Sequence, residues 1–173
     1  MNFWLEELTT ENHSLAVEWR EIKINQEITS LFTKIDEWHE NRILHRARLQ
    51  RFSSLPYCHL INDLPSTSEL LPADRKIDGK PLLLAKASTQ LWTLITTREV
   101  ISSGENGLKT IALADIDRRI EFRDKEGGVA RKDKAKSLML GLEGVEIWTP
   151  SDEVMFAMAN ILKVFPLAGY EHE

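Results

Sequence analysis

Cysteine is nearly absent. Cys58 is the only one in 173 residues, which excludes an intramolecular disulfide and a multi-cysteine zinc site and suits a reducing cytoplasm. A cysteine–histidine nucleophile needs both side chains at hydrogen-bond distance with a third group orienting the base. Cys58 and His59 are immediate neighbours, a spacing that rarely achieves this, so Cys58 is expected to be a small buried or half-buried thiol. Long apolar runs are also missing. Aliphatic stretches such as Leu82-Leu83-Leu84-Ala85 are far below the roughly 20 residues of a membrane-spanning helix. Met1 to Glu7 has no basic head and no long apolar segment, so a signal peptide is not expected and a cytoplasmic location is. There is no Gly-x-x-x-x-Gly-Lys loop, no Gly-x-Gly-x-x-Gly, no Gly-x-Ser-x-Gly and no His-Glu-x-x-His. His39 and His45 fall on different faces of a helix, and His13, His59 and His172 are scattered. No metal site and no cofactor is therefore expected.

Basic residues are in deficit: 22 lysines and arginines stand against 27 aspartates and glutamates, a net charge of −5. Bulk attraction to nucleic acid or to an anionic membrane is thereby disfavoured; nucleic acid is not expected as a partner, and peripheral membrane contact is the weaker option. The deficit is uneven. Arg118, Arg119, Arg123, Lys125, Arg131, Lys132, Lys134 and Lys136 face only Glu121, Asp124, Glu126 and Asp133 over the same stretch, a local charge of +4. Such a run can be a solvated hairpin that keeps a strand edge soluble, or a patch that steers an acidic protein partner or a phosphate. On the second reading the binding candidates are Arg118, Arg119, Arg123, Arg131, Lys132, Lys134 and Lys136. Trp4, one of five tryptophans, joins them as a contact with a partner or a second copy. Trp38 reads as core.

What is present is ordinary for a globular chain: 42% hydrophobic and 28% charged residues, enough for one domain or a small domain with an appendage. Residues 1–52 read as a helical segment. No proline precedes position 56 and no glycine precedes 79, which allows one long helix or a helical hairpin. Ile28, Leu31, Phe32, Ile35 and Trp38 recur at three- and four-residue steps, the period of one helix face. Arg42 and His45 interrupt its continuation to Leu49 and Phe52, and Asn25 is a candidate cap with Glu27 in the first turn. Residues 53–81 hold Pro56, Pro65, Pro72 and Pro81 and read as a connector that can be neither a long helix nor a central strand. Leu55, Tyr57, Leu60, Ile61, Leu64, Leu70 and Leu71 make it too apolar for a free tether, so it is expected to lie on the body.

Residues 82–173 read as short strands followed by one helix. Apolar alternation in 90–96, 98–103, 108–113, 119–123, 137–142 and 145–148 is punctuated by Gly104-Glu105-Asn106-Gly107, Gly127-Gly128 and Glu143-Gly144, the mark of an antiparallel sheet that curls or closes. Thr149 with Pro150 behind it is expected to start a helix that Asp152 and Glu153 favour electrostatically, carrying a stripe of Val154, Ala157, Met158, Ile161 and Phe165 up to Pro166. The fold class is therefore α+β: a helical N-terminal segment, then a curled antiparallel sheet or barrel of about seven strands capped by a C-terminal helix.

The segment Leu94-Ile95-Thr96-Thr97-Arg98-Glu99-Val100-Ile101, a glycine turn, Ile111-Ala112-Leu113-Ala114-Asp115-Ile116, and the strand–helix unit from Gly144 to Phe165 resemble bacterial pleckstrin-homology-like and GRAM-like domains over roughly residues 82–165. The resemblance implies a non-catalytic protein- or ligand-binding module. Its phosphoinositide site would need a basic first hairpin, where only Lys86 stands. Two alternatives remain open. One is a bacterial immunity-type protein that neutralises a toxin by covering its active site, an acidic surface mimicking phosphate. The other is a magnesium-dependent nuclease using Asp115, Asp117 and Glu121 with Lys125. Against the nuclease, the same aspartates fit a strand corner whose polar residues face water while Ile116 and Ile120 enter the core.

Overall fold

The computed structural model describes residues 3–64, 76–131 and 134–167, and side chains from position 20 onward. Lys132 thus lies outside what is described, as does the side chain of Trp4. The chain divides into two compact units, Met1–Glu37 and Trp38–Glu173, the division falling inside helix α1 (Phe3–Leu49). With neither proline nor glycine to break it, α1 runs through the cap expected at Asn25. The Asn25 carbonyl instead accepts the Thr29 hydroxyl at 2.7 Å, and Thr29 in turn accepts from Thr33 at 2.9 Å, the four-residue back-bond of a helix interior.

In the first unit the expected stripe is open to solvent at Ile28 (45% exposed), Leu31 (55%) and Phe32 (52%), and Ile24, one turn earlier, is 54% exposed. In the second unit the last turns of α1 do enter a core. Ile43 and Ala47 are buried, as is Phe52 in the turn that follows.

The strands are β1 (Cys58–Leu60), β2 (Pro81–Lys86), β3 (Trp92–Thr96), β4 (Glu99–Gly104), β5 (Gly107–Ala112), β6 (Ile120–Arg123), β7 (Ser137–Leu140) and β8 (Val145–Ile147). They pair antiparallel as a five-stranded sheet, β1-β2-β3-β4-β5, and a three-stranded sheet, β6-β7-β8. The fold is α+β; of the two forms expected, a curled sheet or a barrel, the closed barrel does not form. After β5 the chain leaves the sheet in a 3-10 turn, Leu113–Ile116, and then turns through Asp117 and Arg118, both with positive φ (48° and 54°). Two consecutive left-handed residues redirect the backbone and end the ladder, so β6 opens a second sheet. The glycine-bracketed turn expected at Gly104–Gly107 forms: those two residues pair across Glu105 and Asn106, and the left-handed residue is Gly107, φ 86°, the glycine that follows a type I turn in a hairpin closed by a G1 bulge.

Alternation along the five-stranded sheet serves two cores. Leu83, Ala85, Ile95, Val100 and Ile111 point into the larger one, shared with Leu138, Leu140, Ile147 and the C-terminal helix. Leu84, Trp92, Leu94 and Ile101 face the other side, covered by Ile61, Leu64 and Ile77. The described ends of the connector thus lie on the sheet. Every residue of β3 is buried, which its place in the middle of the sheet, covered on both faces, requires.

A closed ring of hydrogen bonds joins the two sheets. The Trp148 amide donates to Ser102 Oγ at 2.7 Å, Ser102 and Thr93 hydroxyls meet at 2.7 Å, and Thr93 Oγ1 donates to the Trp148 carbonyl at 2.5 Å. Because Thr93 spends its proton on the carbonyl, Ser102 must donate to Thr93, and every member of this buried ring is satisfied. Helix α2 (Asp152–Leu162) begins two residues later than expected. Ser151, extended at φ −157°, caps it by accepting the Val154 amide at 3.3 Å; an extended residue at 151 rules out a helix begun at Pro150. Seven of its residues are buried. Each fully buried aliphatic side chain among them contributes roughly 1.5–3 kcal/mol.

Candidate functional site

The hairpin after Asp117 disperses the basic run. The Arg118 amide donates to the Phe165 carbonyl at 2.7 Å, just past the end of α2. Lys136 Nζ lies 3.8 Å from Asp152 Oδ2, at the start of α2. The two ends of the run are therefore separated by the length of an 11-residue helix, about 16 Å at 1.5 Å per residue. Between them, Arg123 donates to Glu121 Oε2 at 2.6 Å and to the Gly127 carbonyl at 2.9 Å, and Arg119 Nε stands 3.6 Å from Asp117. Arg131 and Lys134 are exposed. These side chains do not converge on one ligand-sized surface.

Arg118 instead meets cations from two other elements. With Arg42 of α1 and Lys163, the C-cap of α2, it rims an open groove of about 540 Å³ whose other lining residues are Trp38, Val164 and Leu167. All three cations are exposed, and no carboxylate is among the described lining residues. In the sequence Arg42 stands out only as an interruption of the apolar stripe. The missed signal is its spacing: Trp38 and Arg42 are four residues apart, hence on one helix face.

The groove has a fixed frame. His39 Nδ1 lies 2.6 Å from the Thr97 carbonyl; a carbonyl only accepts, so Nδ1 carries the proton. The same ring stacks beside Trp38 (centroids 6.2 Å) and meets Phe165 edge-on (5.2 Å). Arg46 Nη1 donates to the Asn160 carbonyl at 2.7 Å, and the Asn160 side chain donates to Gln50 and accepts from Lys163. Burial holds the Arg46 guanidinium below its ordinary pKa, and the nearby charge of Arg42 adds to the effect. The last turn of α2 offers partial negative charge to this cluster. Guanidinium forks match carboxylates two bonds at a time, and the indole with Val164 and Leu167 offers apolar contact.

Two other depressions differ in charge. One of about 280 Å³ at the β4–β5 turn sets Lys109 and Lys136 against Glu105 and Glu146, with Asn106 Nδ2 donating to Glu146 at 2.9 Å. Another of about 500 Å³ holds Asp115, Asp117 and Glu143 around exposed Leu142. Glu121 is absent from that lining, its carboxylate taken by Arg123. Among the described residues no group of three or more His, Cys, Asp or Glu is arranged to hold a metal ion. Ile116 is buried and Ile120 half-buried. Cys58 is 4% exposed, and burial pushes its thiol up to about 12, so it is protonated at neutral pH. Among the described residues no helix is long and apolar enough to cross a membrane.

Fold and groove together define an α+β, two-sheet unit with a cationic, tryptophan-floored depression at the end of its C-terminal helix. Comparison with protein-family models, curated proteins and solved structures gives no match.

Proposed function

We propose that residues 38–173 act as a pleckstrin-homology-like binding module whose groove holds an acidic segment of a partner protein. One observation carries the reading: Arg42, Arg118 and Lys163 surround an apolar floor without a carboxylate among the described lining residues. Exposed cations left unneutralised around Trp38, Val164 and Leu167 suit a peptide that alternates Asp or Glu with apolar residues. Two antiparallel sheets followed by a helix packed on their shared core support the pleckstrin-homology-like assignment. The chain's net charge of −5 repels an acidic partner at long range. Within a Debye length of about 8 Å, however, the local cations dominate.

A fluorescein-labelled peptide of alternating glutamate and leucine, titrated by anisotropy at low and high salt, tests this. Changing Arg42, Arg118 and Lys163 together to glutamate is expected to weaken binding at least roughly tenfold, exposed ion pairs contributing up to about 1 kcal/mol each. Changing Arg131, Lys132, Lys134 and Lys136 to glutamate is expected to cost under about threefold, through steering alone. Equal affinity of the groove variant and the wild type would overturn the reading. A larger loss in the second variant would move the site to the hairpin.

A further inference from the structure

The first unit carries a surface that the groove does not use. Along α1, Ile24, Ile28, Leu31 and Ile35 follow one another at steps of four, three and four residues, the a and d spacing of a coiled-coil seam. The first three are 54%, 45% and 55% exposed, and Ile35 is half-buried. In proteins most helical stability comes from packing an apolar face rather than from propensity. Glu27 and Lys34 flank the seam at successive g positions, and neither forms an ion pair among the described residues.

We infer that this face pairs with the same face of a second copy, antiparallel. Charge selects both the partner and the direction. In a parallel pair the g positions face e positions of the other chain. Glu27 would then meet Phe32 and Lys34 would meet His39, with no opposite charge on either side. In an antiparallel pair the g positions face each other. With Ile24 opposite Ile35 of the second copy and Ile28 opposite its Leu31, Glu27 comes beside Lys34 of the second copy, and the two-fold axis repeats the pair. The face is thus self-complementary in its apolar layers and in charge, as an isologous dimer requires.

Light scattering on the full chain, eluted over a roughly hundredfold concentration range so that mass action moves the equilibrium, is expected to give twice the mass of one chain at the upper end. Ile28→Glu with Leu31→Glu is expected to abolish the dimer and leave the unfolding midpoint of the second unit unchanged. Glu27→Lys alone sets lysine against lysine twice and is expected to weaken association roughly fivefold or more; adding Lys34→Glu restores it. For direction, chains carrying Ile24→Cys are mixed with chains carrying Ile35→Cys, buried Cys58 staying silent. Mixed disulfides support the antiparallel register. Disulfides between two Ile24→Cys chains, a dimer that survives the double glutamate variant, or a single-chain mass throughout would each overturn the inference.

Discussion

Two stretches of α1 share one backbone and a similar supply of isoleucine and leucine, yet Ile28 is 45% exposed and Ile43 0%. The difference lies in what stands opposite. Ile43 and Ala47 belong to a core assembled by Phe52, Leu83, Ile95 and Met158. Ile24, Ile28 and Leu31 in the first unit have no buried neighbour set among the described residues. Helical periodicity reports that a face is apolar. It does not report whether the same chain supplies the cover.

The sharpest test of that contrast is Ile43→Ala. It removes side-chain volume from a site with no solvent exposure and is expected to cost about 2–5 kcal/mol, read as a lower denaturant midpoint of the full chain. Cys58, on the edge strand β1, reports on the same core. Its folded pKa is raised to about 12, above the roughly 8.5 of an exposed thiol, so the unfolded state loses the proton first. The stability this gives is complete below about pH 8.5 and falls steadily as pH rises toward 12. Denaturant melts at stepped alkaline pH should show this slope, and Cys58→Ala should remove that part of it. A thiol that titrates normally in the folded protein would mean that this core is open, and the contrast with the first unit would fail. Ser102→Ala opens the ring between the sheets and leaves the Trp148 amide without its acceptor, at a cost of about 1–3 kcal/mol.

Much of this was legible in advance because it is local. The Gly104–Gly107 hairpin, the absence of breakers before Pro56, and the apolar face and acidic first turn of α2 are written in adjacent residues. The two-sheet split was not. It depends on left-handed backbone at Asp117 and Arg118, and neither is a glycine that would announce it. The groove was illegible for a related reason. Its cations come from positions 42, 118 and 163, which only tertiary folding unites, whereas the cations that are close in sequence are spread along α2 or satisfied by Glu121 and Asp152. Density of charge in sequence was a poor guide to density of charge in space.

The start of α2 provides a smaller test. Ser151 rather than Thr149 accepts the amide that caps the helix, so Ser151→Ala should lower stability by about 1 kcal/mol. Thr149→Ala should change it by less than half as much. The reverse order would restore the earlier start.

The smallest expected effect is the most informative. Ile28→Ala, studied in solution dilute enough for single chains to dominate, should move the denaturant midpoint of the second unit by no more than about 0.5 kcal/mol in either direction, as for other exposed positions. Alanine is, if anything, the better helix former, so local helicity should hold or rise in circular dichroism. Set beside Ile43→Ala, the pair uses one chemical change on one helix and varies only burial. A loss at position 28 comparable to that at 43 would mean that the stripe is covered within its own chain, and both the contrast and the pairing of two copies through it would fail together. A negligible loss in dilute solution, growing as the chain is concentrated, would place the worth of Ile28 in association rather than in folding.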